Sequence, residues 1–157
     1  MEEQRKKKRK YGISEGAFKR LTTLLDQLEH SIEVLYYLME NGREKSFVSA
    51  LISADAIDLG SLIIEQKRNT DILFKIDTEK NLYALLCQGT EVDGGYYFIK
   101  RLVDTIQKRG GTNIYCSEID VQNTEHPIQE IVFRLLNMYQ RAKSEKADGK
   151  ISFHSLN

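Results

Sequence analysis

The chain is poor in several features that would each have pointed to a function. It has two cysteines in 157 residues, Cys87 and Cys116, too few for a disulfide framework and without metal-ligand spacing. Both sit in apolar runs that read as strands. They are therefore expected as buried, reduced thiols, which fits a cytoplasmic compartment. No apolar run approaches the ~20 residues of a membrane span, and no signal-peptide pattern is present. Neither sign of charge is in excess, since 23 Lys and Arg balance 23 Asp and Glu. That balance argues against a dedicated nucleic-acid binder with a basic surface. A chain of this length can bury most of its apolar surface as one domain without staples.

The balance conceals one local excess, the basic run Arg5 to Lys10 (RKKKRK). Like charges in a row with no apolar partner read as a disordered arm. The functional alternatives are a nucleic-acid tail or a juxtamembrane segment on the cytoplasmic side of a span outside this chain. The rest of the sequence has no basic stripe interleaved with aromatics, so of these two the juxtamembrane reading is preferred. Residues 1–13 are accordingly set apart from a domain over 14–157.

Within that domain, Ser14 can cap a helix over residues 15–40 that ends at Asn41-Gly42. Its apolar positions Phe18, Leu21, Leu25, Leu28, Ile32, Leu35 and Met39 form a heptad seam. Such a seam can pair with a second copy or lie on a sheet. A strand is expected over 47–54, with Asp55 and Asp58 after it, and a short helix over 59–67. Strands 72–76 (ILFKI) and 82–87 (LYALLC) flank a polar loop, Asp77 to Asn81, and form a central hairpin. The loop 88–95 is rich in turn residues. A helix follows over 96–108, a strand over 113–119, a helix from Pro127 to about 147, and a last strand over 151–153. This order predicts an α+β fold of the ferredoxin-like or cyclase type, an antiparallel-containing sheet covered by helices and preceded by a long N-terminal helix.

Arg68 and Asp71 lie just before the hairpin, three residues apart at a helix-to-strand turn. A forked donor and a carboxylate so spaced can converge on one polar ligand, or simply form a surface ion pair at the helix end. The spacing recurs at Arg101 and Asp104 in the middle of a helix, so position carries the argument. His30, His126 and His154 share no spacing and read as solvated or capping groups. Tyr36-Tyr37 and Tyr96-Tyr97 read as packing or interface.

The arrangement RNTD, ILFKI, DTEKN, LYALL resembles the centre of a GGDEF domain, the diguanylate cyclase fold. The family places an RxxD motif upstream of its hairpin and its signature at the turn. YYFIKRLVDTI resembles the helix that follows, and LNMYQRAK before Gly149-Lys150 resembles the family's closing segment. Asp55 and Asp58 fall where the family carries a metal-binding aspartate. The departures imply a degenerate member. Active members have two glycines in the signature loop, so that backbone can approach phosphates. Here Asp77 to Asn81 has none and is longer. The segment between Asp55 and Arg68, which contacts the substrate guanine in active members, is shortened. Asp55 and Glu79 survive only as possible metal ligands, and the resemblance implies neither catalysis nor a resident metal or cofactor.

The resemblance further implies that the RxxD pair binds cyclic di-GMP away from the lost active site, as in degenerate receptors resembling PelD. Arg68 is then the motif arginine, Asp71 the motif aspartate, and Arg101 the second arginine from the following helix. The arginines suit guanine O6 and N7 or phosphates, and Asp71 suits a guanine N–H edge. The implied role is a non-catalytic cyclic di-GMP receptor, tethered at the inner face of a membrane. It would regulate exopolysaccharide synthesis or secretion through a membrane-bound synthase or secretion complex. The alternative is a nucleotide-independent module that self-associates or docks a partner through the Phe18 to Met39 helix.

Overall fold

Described residues of the structure, a computed structural model, are 14–89 and 92–157, so the Arg5 to Lys10 run lies outside them. Helix α1 (Glu15–Glu40) starts at Ser14, whose Oγ accepts from the Ala17 amide at 3.2 Å. It stops where Gly42 adopts φ 71°, a conformation glycine takes without strain. Leu24, Leu28, Ile32 and Leu35 are buried against the sheet, with Leu21, Leu25 and Met39 half-buried beside them. The heptad seam is therefore largely spent inside the chain. Only its first member, Phe18, stays mostly exposed at 61%.

The remaining elements are β1 (Phe47–Asp55), α2 (Leu59–Gln66), β2 (Ile72–Asp77), β3 (Leu82–Gln88), α3 (Val92–Lys108), β4 (Thr112–Val121), α4 (Ile128–Ser144) and β5 (Ile151–Leu156). They form one five-stranded sheet in the order β2-β3-β1-β4-β5. All neighbours are antiparallel except β4 and β5. The α+β architecture expected from the sequence is the one observed. The hairpin, however, is not central. β2 is an edge strand, and its mostly exposed and half-exposed positions contrast with the buried run of β3. β1 takes the centre because it is buried along nearly its whole length.

Alternation along β1 divides the core between two faces. Phe47 and Leu51 pack with α1 and α4, while Val48, Ala50 and Ile52 pack with α2 and α3. Each fully buried aliphatic side chain contributes about 2 kcal/mol. Truncating one at the α1 contact, as in Leu28→Ala, removes about 3 kcal/mol. Gly60 lets α2 lie close to the sheet, since a Cβ there would meet Tyr83 Oη at 2.6 Å.

Element ends differ from expectation where tertiary packing decides them. Helix α3 begins at Val92, before its two glycines, and α4 closes at Ser144. Pro127 is the N-cap of α4. No helix among the described residues is long and apolar enough to cross a membrane. Strand register sets the two ends of the sheet apart. Phe47 pairs with Gln88 and Ile72 with Leu86, so β1 and β2 begin where β3 ends. The hairpin turn and the end of β1 lie at the opposite end.

Candidate functional site

The turn between α2 and β2 is built around one carboxylate. Asp71 Oδ2 accepts from the Arg68 backbone N–H at 2.9 Å, and Oδ1 accepts from Arg68 Nη2 at 2.8 Å. Arg68 Nε adds longer bonds to both oxygens, 3.2 and 3.3 Å. The Asp71 amide returns a bond to the Arg68 carbonyl at 3.1 Å, which closes the turn. The Asp71 side chain is 0% exposed and that of Arg68 46% exposed. The acid is therefore consumed inside the turn, and the guanidinium is presented.

Two further residues brace this arrangement. Gln88, at the end of β3, receives Arg68 Nη2 on its carbonyl at 2.7 Å and donates its Nε2 to the Thr70 carbonyl at 2.8 Å. Lys67 Nζ donates to the Asp71 carbonyl at 3.0 Å. The hydrogen bond to Asp71 first, and nearby negative charge including that of Glu44, hold the guanidinium above its ordinary pKa. Arg68 Nη1 carries no hydrogen bond among the described residues and is the edge free to meet a ligand.

Arg68 and Asp71, paired in the sequence reading, are thus in contact. That reading gives Asp71 a guanine edge, whereas both its oxygens here face Arg68. Arg101 is exposed on α3 and lines a groove of about 440 Å³ with Gln66, Phe98, Thr105 and Lys108. Gln66 closes α2 just before the Lys67-Arg68 turn, so this groove approaches the turn from the α3 side. Among the described residues no ion pair joins Arg101 to Asp71. Sequence pattern alone does not single out Lys67, Gln88 or Glu44 as part of this turn. Lys67 acts through a contact only four residues along the chain, whereas Gln88 and Glu44 come from distant segments, which no local motif reports.

The opposite end of the sheet holds the hairpin turn. Asn81 stands at φ 50°, and its Nδ2 donates to the carbonyls of Ala54 at 2.7 Å and Ile57 at 3.0 Å. Asp77 Oδ1 accepts from the amides of Glu79 and Lys80, at 3.0 and 3.3 Å. Asp55 accepts from Asn113 Nδ2 at 2.9 Å, and Asp58 caps α2 through Ser61. Burial, then repulsion from Lys80 and Arg20, holds Lys143 below its ordinary pKa. Among the described residues no three His, Cys, Asp or Glu side chains gather in a way that could hold a metal ion. The histidines lie apart: His30 beside Glu33, His126 with its carbonyl under Tyr36, and His154 against Arg134.

No protein-family model matches the chain, and no curated protein does. Solved structures do. The chain is similar to the diguanylate cyclase SiaD of Pseudomonas aeruginosa, solved with its activator SiaC, at TM-score 0.60 and 13% identity over 83% of this chain. It spans just over half of that protein, 56% of its length. The coiled coil and GGDEF domain of DgcB from Caulobacter crescentus, solved with cyclic di-GMP, matches at TM-score 0.62 and 8% identity, covering 82% of this chain and 80% of that one. The active GGEEF domain of a Vibrio cholerae diguanylate cyclase matches at TM-score 0.58 and 11% identity, covering 78% and 90%. At such identities the likeness is one of architecture, and the chain has the fold of a GGDEF domain.

Proposed function

We propose that this chain is a non-catalytic receptor domain for cyclic di-GMP, with the dinucleotide docking on Arg68. The observation that carries this reading is the state of the Arg68 guanidinium. It is fixed by Asp71 and Gln88 through Nε and Nη2, half exposed, and unbonded at Nη1 among the described residues. With Nε and both Nη2 hydrogens held by the protein, the ligand meets the two N–H bonds of Nη1, charged donors already oriented for a guanine acceptor or a phosphate, and their ordering cost is met in the free protein. Asp71 serves the ligand by aiming that guanidinium. Arg101, in the neighbouring groove, supplies the second arginine.

Loss of cyclase activity is supported at the other end of the sheet. The turn after β2 has no glycine, and Asn81 ties it to the β1–α2 loop, so side chains occupy the space a phosphate chain would need. By resemblance alone, the output is exopolysaccharide synthesis or secretion through a membrane-bound partner complex.

Titration calorimetry with cyclic di-GMP tests the reading. Wild-type protein should bind, and Arg68→Ala should lose binding. Because Arg68 also satisfies Asp71, Arg68→Lys is the companion variant: it keeps the charge and loses the fork, and should bind far more weakly while remaining folded. No heat with wild type, or unchanged affinity in both variants, refutes the proposal. Incubation with GTP should yield no cyclic dinucleotide.

A further inference from the structure

The proposed site is short of one carboxylate. Guanine offers acceptors at O6 and N7 and donors at N1–H and N2–H. With both Asp71 oxygens turned to Arg68, the motif leaves nothing to accept from the donors. Glu44, in the loop between α1 and β1, stands where one is needed. Its Oε1 accepts from the Gly89 amide at 3.1 Å, while Arg68 Nη2 donates to the Gln88 carbonyl at 2.7 Å. Those are the two polar groups of a single peptide unit. The guanidinium and the carboxylate therefore stand no more than about 8 Å apart. The C=O and N–H of a trans peptide point in opposite directions, so the two groups flank that peptide, and a purine lying across its face reaches the unbonded ends of both.

Neither group is spent on the other. The ion pair of Arg68 is with Asp71. Glu44 Oε1 is steadied by Gly89 and by the Lys45 amide at 3.3 Å. Its Oε2, like Arg68 Nη1, has no hydrogen bond among the described residues. One residue thus offers donors and the other an acceptor, both anchored to the end of β3.

We infer that Glu44 is the specificity residue of this site, accepting from N1–H and N2–H of the guanine whose O6 or N7 faces Arg68. The inference rests on the receptor reading and adds to it a selection rule. Adenine keeps N7 but has neither N1–H nor N2–H and carries an amino group where guanine has O6, so in the same pose it reaches Arg68 through N7 at most and offers Glu44 nothing to accept.

The test is calorimetry on the full chain with cyclic di-GMP and cyclic di-AMP, comparing wild type, Glu44→Gln and Arg68→Ala. Glutamine keeps an oxygen for the Gly89 amide but removes the charge and the second acceptor. Cyclic di-GMP affinity should fall roughly ten- to a hundredfold in Glu44→Gln, with no fall for cyclic di-AMP, so that the preference for guanine collapses. A merely structural Glu44 would not move that ratio. If Glu44→Gln matches wild type for both ligands while Arg68→Ala abolishes binding, Glu44 is refuted and the Arg68 site stands. If wild type fails to bind cyclic di-GMP, both ideas fall together.

Discussion

Replacing Glu118 by glutamine should stabilise the fold, and more so as the pH rises. Glu118 lies on β4 between Ala50 of β1 and Phe153 of β5, fully buried, with neither carboxyl oxygen hydrogen-bonded among the described residues. Asp120, two residues on and facing the same way, has Oδ2 satisfied by Gln122 at 2.6 Å and Ser155 at 3.3 Å, while Oδ1 has no partner among the described residues. Burial, and then the charge of Asp120, pushes the Glu118 carboxyl up from 4.5 to about 8. The folded state therefore keeps this proton to higher pH than the unfolded chain does. Its stability contribution is complete below pH 4.5, is lost as pH rises through the window from 4.5 to 8, and stays lost above it. At about 1.4 kcal/mol per pH unit, the loss is about 3 kcal/mol at pH 7 and nears about 5 kcal/mol above pH 8. Glutamine removes the titration and leaves a constant cost for its buried amide. Urea unfolding from about pH 5 to about pH 9 should show the variant gaining on wild type across that window, with an unchanged denaturant slope. Titrations of groups that do not feel the Glu118 charge cancel in the difference. Parallel curves for the two proteins, or a gap that narrows with pH, would refute the argument.

Asn81→Ala should cost about 2 kcal/mol, because alanine loses both carbonyl contacts and takes a positive φ less readily. Asn81→Gly should recover the part due to φ and not the rest, as read by denaturant midpoints. The thiols of Cys87 and Cys116 are buried, and burial pushes both up, so neither should react with an alkylating reagent at neutral pH until the protein unfolds. Mass spectrometry of native and urea-treated samples checks this. Fast labelling of either cysteine in the native state would overturn it.

Much of this fold can be read from local pattern. The periodicity of α1, the β-branched and aromatic strands, and the breakers at Asn41-Gly42 and Arg109-Gly110 locate the elements because burial imposes those spacings. The Arg68 to Asp71 contact is legible for the same reason, since three residues of chain bring the partners together whatever the rest does. What escaped is non-local. The hairpin reads as central because ILFKI and LYALLC are both apolar, yet Lys75 within β2 is the mark of an edge strand. Nothing in NIYCSEI announces that Glu118 faces the core, because alternation along β4 assigns a face without saying which is covered. Gln88 and Glu44 acquire their roles only when the ends of β3 and α1 are brought to the Arg68 turn.

The two ends of β3 explain how the proposed receptor site stands apart from the hairpin turn. Leu82 opens the strand at the hairpin turn, and Gln88 closes it at Arg68. Seven residues of extended chain separate the ends by roughly 20 Å. Among the described residues, no hydrogen bond of the Arg68 turn reaches Asn81 or Asp55, and none of those that fix the hairpin turn reaches Gln88. Sites so far apart with no shared partner respond to substitution almost independently. Substitutions in the hairpin turn therefore leave the Arg68 guanidinium where it is. The opposite also holds, since changes at Glu44, Arg68 or Gln88 do not rebuild a phosphate loop. The fold accommodates both because β3, buried on both faces, is rigid enough to hold each end in place without the other.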